Sequence, residues 1–68
     1  MRTITITQDG IRLGQFLKLA NAVESGSAVK LLLAGGGVSV NAEVETRRGR
    51  QLARGDTVRV AGEDLVVG

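Results

Sequence analysis

Ser25-Gly26-Ser27-Ala28-Val29-Lys30-Leu31-Leu32-Leu33-Ala34, followed by Gly35-Gly36-Gly37 and Val38-Ser39-Val40-Asn41, is the stretch that decides the fold. Ser25 suits a helix N-cap, because its hydroxyl can accept an orphan backbone N–H. Val29, Leu32 and Leu33 stand at i, i+3 and i+4 and share a face directed at a core. Lys30 lies on another face. The helix is expected to end near Ala34, with Gly35 or Gly36 taking the left-handed exit that closes many helices. Val38 and Val40 then alternate with Ser39 as a short strand, and Asn41 begins a turn. The glycine triplet follows a helix and has no Gly-Lys-Ser/Thr after it, so it reads as a helix exit and not as a phosphate-cradling loop.

Upstream, Thr3-Ile4-Thr5-Ile6-Thr7 alternates as a half-buried strand with Ile4 and Ile6 inward. Gln8-Asp9-Gly10 signals a turn. Leu13, Phe16, Leu17 and Ala20 recur at helical spacing and predict a helix over about residues 12 to 22. Gly14 weakens that helix by roughly 1 kcal/mol relative to Ala. Downstream, Val44 can resume pairing, and residues 45–51 lack apolar periodicity and predict an extended surface loop. Leu52 would anchor that loop to the core. Arg54-Gly55-Asp56 reads as a turn, and strands 57–60 and 65–67 as a hairpin around Gly62-Glu63-Asp64. The expected core is Ile4, Ile6, Leu13, Phe16, Leu17, Val29, Leu32, Leu33, Val38, Val40, Leu52 and Val58. The predicted order is β-α-α-β-loop-β-β. It describes an α+β fold, residues 1–68 forming one domain of two helices packed on a small, mainly antiparallel sheet.

With 68 residues and no Cys or His, no disulfide and no Cys/His metal site can staple this core. Aliphatic packing must hold it. No apolar run approaches the roughly 20 residues of a membrane-spanning helix, and Met1-Arg2 leads into a strand pattern instead of a signal-peptide core. A cytoplasmic protein with no membrane partner, monomeric by default, is expected.

The net charge is only +2, but its distribution is uneven. Residues 47–60 hold Arg47, Arg48, Arg50, Arg54 and Arg59 against the single acid Asp56. Such clustering is a footprint of polyanion binding, and an arginine fork matches phosphate oxygens. Catalysis has little to work with. His, Cys and Tyr are absent, no Ser has a nucleophile context, and paired carboxylates need a pocket that so small a domain has little room for. The expectation is a protein that is not an enzyme and has no cofactor, with Glu43 and Glu45 on a solvated face. The one aromatic, Phe16, falls on the core side of its helix, so recognition by base stacking is not expected.

Several phrases are similar to one family. They are Arg12-Leu13 with Phe16-Leu17, Ser25 with the Ala-Val-Lys-Leu-Leu-Leu helix, and Gly37-Val38-Ser39-Val40-Asn41. The arginine loop and Leu52-Ala53-Arg54-Gly55-Asp56-Thr57-Val58 complete the pattern. In this order the chain resembles the alpha-L RNA-binding domain, named after a small-subunit ribosomal protein (the "S-four" type). Leu13-Gly14-Gln15-Phe16-Leu17-Lys18 and Val44-Glu45-Thr46-Arg47-Arg48-Gly49-Arg50 are similar to its small stand-alone bacterial members, the YbcJ-like proteins. The resemblance implies a module for structured RNA, ribosomal or ribosome-associated. It implies an RNA surface on the two helices and the following loop, comprising Arg12, Lys18, Lys30, Arg47, Arg48 and Arg50. Two residues depart from the pattern. Gly14 stands where many members have Asp. Ala42 stands where Gly is usual, and because Ala resists positive φ a looser turn is expected at 41–43.

Two other readings compete. A β-grasp sulfur carrier has a similar length and a Val-Asn turn before a Leu-x-x-Gly-Asp-x-Val segment, but it works through a C-terminal Gly-Gly where this chain shows Val66-Val67-Gly68. A protein-interaction adaptor with an incidental basic face would bind RNA no better than a charge-matched control.

Overall fold

Both helices are closed by the same device, one residue in the left-handed region with two backbone bonds around it. The computed structural model describes residues 1–68. Helix α1 spans Leu13–Leu19 and helix α2 spans Gly26–Ala34. Ser25 caps α2 as expected, its Oγ accepting the Ala28 N–H at 3.2 Å. At the far end Gly36 takes φ 74°, the Gly36 N–H donates to Leu33 O, and the Gly37 N–H donates to Leu32 O. This is a Schellman closure. Helix α1 was expected to run to about residue 22 but stops earlier. Asn21 adopts φ 59°, and the Asn21 and Ala22 N–H groups donate to Lys18 O and Leu17 O. Asn tolerates this conformation better than most residues, so it ends a helix whose apolar spacing alone would carry on.

Seven strands accompany the helices: β1 (Arg2–Ile4), β2 (Gly10–Arg12), β3 (Val38–Val40), β4 (Glu43–Val44), β5 (Gln51–Ala53), β6 (Thr57–Val60) and β7 (Glu63–Val67). Five form a sheet in the order β1-β7-β6-β3-β4, antiparallel except for the parallel β1–β7 pair. Strands β2 and β5 form a separate antiparallel ribbon. The predicted order thus gains three short strands, β2, β4 and β5. Val40 pairs with Val58 and Val58 with Leu65, while Val38 pairs with Val60. Period-2 alternation places all five on one buried face. Residue 68 continues this sheet and does not project from it: its N–H donates to Ile4 O, and its O accepts from the Ile6 N–H.

Two tight turns differ from expectation. The β6–β7 hairpin closes on Ala61 (φ 53°) and Gly62 (φ 76°), so Glu63 and Asp64 belong to β7. The β3–β4 turn, expected to be loose, is a two-residue turn with Asn41 at φ 50° and Ala42 at φ 72°. Ala resists this region by roughly 1–2 kcal/mol. Contacts of Asn41 hold the turn against that cost. Its Nδ2 donates to Asp56 Oδ1 at 3.2 Å, its Oδ1 accepts the Thr57 N–H at 3.0 Å, and its own N–H donates to Thr57 O at 2.8 Å.

The helices and the sheet share one cluster of buried side chains, with Leu13, Phe16, Leu17, Val29, Val38, Val58 and Leu65 fully enclosed. Each such burial stabilises the fold by about 1.5–3 kcal/mol before entropy is counted. Ala20, Val60, Leu65 and Val67 join the expected core, while Ile4 and Leu32 are only half-buried against it.

Candidate nucleic-acid interface

Strand β2 runs straight into α1, and this junction builds the site. Arg12 is the N-cap residue of α1, with extended backbone (φ −77°, ψ 147°) and no side-chain cap. A helix start leaves N–H groups without intrahelical partners. Here the arginine loop supplies them: the Leu13 N–H donates to Arg50 O at 2.8 Å and the Gly14 N–H to Arg48 O at 2.9 Å. These bonds extend the β2–β5 ladder, in which Arg12 faces Gln51. The loop of residues 45–50 is therefore clamped along the first turn of α1. Gly14 marks the closest approach, since a Cβ there would lie 3.4 Å from Arg48 O and 3.5 Å from Arg48 Cβ.

Arg12, Gln15 and Lys18 recur at i, i+3 and i+6, and all three are exposed. Between them and the loop lies an open cleft of about 380 Å³, lined by Arg12, Gly14, Gln15, Lys18, Arg48 and Gly49. Three of these six carry positive charge and none is acidic. The Arg48 guanidinium also reaches the start of α2, its Nη2 lying 3.8 Å from where a Gly26 Cβ would stand. Lys30 is one helical turn beyond Gly26, exposed on that side of α2. It flanks the cleft without lining it.

The loop also borders a second depression, lined by Arg47, Gly49, Arg50 and Gln51. Neither Arg47 nor Arg50 lines the cleft, and Glu45 holds both. Glu45, expected on a solvated face with Glu43, is buried at 6 % exposure, whereas Glu43 is exposed. The reason is its hydrogen bonding. Glu45 Oε2 accepts from the Thr46 N–H (3.0 Å), the Arg47 N–H (3.1 Å) and Arg47 Nε (3.1 Å). Glu45 Oε1 accepts from Arg47 Nη2 and Arg50 Nη1, both at 3.1 Å. Led by the side-chain bond from Arg47, these donors pull the carboxyl pKa from its ordinary 4.5 down to about 2. The same bond raises the pKa of Arg47. Arg47 keeps a side chain that is 75 % exposed, against 30 % for Arg50.

The nine Lys and Arg residues now divide. Arg2 pairs with Glu63, Arg47 and Arg50 with Glu45, Arg54 with Asp9, and Arg59 with Asp64. The remaining four, Arg12, Lys18, Lys30 and Arg48, have no acidic partner within 4.0 Å. All four belong to the six residues named from the sequence. The structure gathers Arg12, Lys18 and Arg48 into one cleft, sets Lys30 beside it, and places Arg47 and Arg50 at a separate depression of the loop. Sequence reasoning missed Glu45 as the loop's anchor and Gln15 as a cleft wall. The spacing Glu45-x-Arg47-x-x-Arg50 was the available signal for the anchor.

Two helices laid on a mainly antiparallel sheet, with a cationic loop clamped to the first helix, define a small α+β module. The chain belongs to the S4 domain family, whose model matches residues 4–68. It is similar to "Probable ribosome maturation protein RlbA" of Bacillus subtilis, with 48% identity over 59 residues covering 87% of this chain and 83% of that protein. It is also similar to "Putative RNA-binding protein YbcJ" of Escherichia coli, with 39% identity over 57 residues covering 84% and 81% respectively.

Proposed function

We propose that this protein is a non-catalytic, cytoplasmic module that binds structured RNA, either ribosomal RNA or RNA of a ribosomal particle. The RNA backbone lies along the cleft between α1 and the arginine loop. Arg12, Lys18 and Arg48 contact phosphates, Lys30 extends the track onto α2, and Arg47 and Arg50 border it from the loop's second depression. The observation that carries this reading is the convergence of the four acid-free cations on α1, the loop and the facing side of α2. Membership of the S4 domain family and the similarity to a putative RNA-binding protein and a probable ribosome maturation protein support RNA as the partner. With its one aromatic ring fully buried, recognition rests on backbone charge and RNA shape.

Each phosphate contact releases condensed counterions, so log affinity falls against log salt with a slope of roughly −0.7 to −0.9 per contact. The test combines Arg12→Ala, Lys18→Ala and Arg48→Ala in one variant and measures affinity for refolded ribosomal RNA at several salt concentrations. The slope should flatten by about two to three units, with little change in melting temperature, because exposed charges carry little folding energy. An unchanged slope would remove the cleft from the binding surface.

A further inference from the structure

The arginine loop places three guanidinium groups within four positions, Arg47, Arg48 and Arg50. Left alone, like charges this close repel and splay in different directions. Glu45 prevents this, since both of its oxygens are saturated by five donors from Thr46, Arg47 and Arg50. Arg48 is the one arginine of the three that it does not hold, and Arg48 is the one that lines the cleft with Arg12 and Lys18.

We propose that Glu45 is a positioning residue that selects which loop arginine faces the RNA. It ties up Arg47 and Arg50 outside the cleft and so presents Arg48 alone to it. This rests on the RNA-binding reading above and adds selectivity to it. A fixed constellation fits phosphates held at a fixed spacing by folded RNA. Three loose arginines would fit any polyanion.

Two physical effects oppose each other here, and that makes the proposal easy to test. By Coulomb's law alone, removing a carboxylate from a basic loop strengthens binding to every polyanion. If Glu45 positions the loop, removing it weakens binding to folded RNA and leaves or raises binding to a flexible polyanion. Glu45→Gln keeps the side-chain size but replaces one accepting oxygen with an NH₂ donor, which cannot serve arginine donors. Glu43→Gln is the charge-matched control, because Glu43 is exposed and makes no ion pair.

The probes are refolded ribosomal RNA and poly(U), titrated with the full chain at one moderate salt concentration. Glu45→Gln should bind the folded RNA about tenfold more weakly, the scale of one misaligned arginine contact, while poly(U) affinity holds or rises. Simple unfolding would lower both together. Glu43→Gln should strengthen both slightly. In addition, Arg48→Ala should cost less in the Glu45→Gln background than in the wild type, since the released Arg47 and Arg50 can then take its place at the phosphates. If Glu45→Gln does not fold, Glu45→Asp keeps the charge, shortens the reach by one methylene, and should show the same loss of preference. Equal behaviour of Glu45→Gln and Glu43→Gln, or an unchanged preference in Glu45→Asp, overturns the positioning role and leaves the RNA reading intact. A wild type with no preference for folded RNA over poly(U) sinks both.

Discussion

Arginines on the sheet and arginines around α1 keep different company. On the β1–β7–β6 side, Arg2 meets Glu63 at 3.0 Å and Arg59 meets Asp64 across the hairpin at 3.9 Å. Each such exposed pair adds about 0–1 kcal/mol at most, and its field is cancelled at close range. On the α1–loop side, Arg12, Lys18 and Arg48 surround a cleft that no carboxylate enters. Thus the positions of the acids, more than those of the arginines, draw the boundary of the proposed binding surface. A chain with net charge +2 can present a strongly cationic face if its acids are spent elsewhere.

The severest way to break the contrast is to remove the platform beneath both faces. Phe16 is fully buried at the centre of the core, so Phe16→Ala should cost about 3–5 kcal/mol. Denaturant unfolding followed by circular dichroism would read it, and a wild-type midpoint would refute the packing described for α1. A smaller effect separates the faces by pH. Because the Glu45 carboxyl is depressed from 4.5 to about 2, its contribution to stability is fully present above pH 4.5 and is lost as pH falls toward 2. Wild-type stability should therefore decline more steeply over that window than that of Glu45→Gln, with parallel curves above pH 5. Identical acid limbs would mean that the loop carboxylate is not held as described. The gentlest test leaves stability nearly untouched. Arg12→Ala with Arg48→Ala, and Arg2→Ala with Arg59→Ala, each remove two charges. The first pair should flatten the salt slope for ribosomal RNA by about 1.5–2 units, and the second should leave it close to wild type. Equal flattening would erase the distinction between the faces and leave net charge as the only determinant.

The sequence discloses those elements whose signal is local. Ser25, the Val29–Leu33 spacing and the glycine exit specify α2, and Val-x-Val alternation specifies β3 and β6. The β2–β5 ribbon was not visible, because Gly10-Ile11-Arg12 and Gln51-Leu52-Ala53 are three-residue segments joined only by a long-range pairing. Both β-turns could be placed, but not their tight geometry with Ala42 and Ala61 at positive φ; at Ala42 the contacts of Asn41 overrule the residue's own preference. At the site, the cations could be picked out by type and clustering. Their division into paired and unpaired depends on where Glu45 points, and alternation around Val44 gave no hint that the chain folds back to enclose it.

The joint between α1 and the arginine loop is made by main-chain atoms, Leu13 and Gly14 N–H to Arg50 and Arg48 O. Every amino acid except proline brings the same N–H, and every one brings the same carbonyl. The attachment is therefore blind to which side chains the loop displays. Residue 48, whose side chain makes no ion pair, can be exchanged by a designer without unfastening the loop from the helix. The module behaves as a holder with an interchangeable tip: its grip on the helix is written in the backbone, and the charge it displays in side chains.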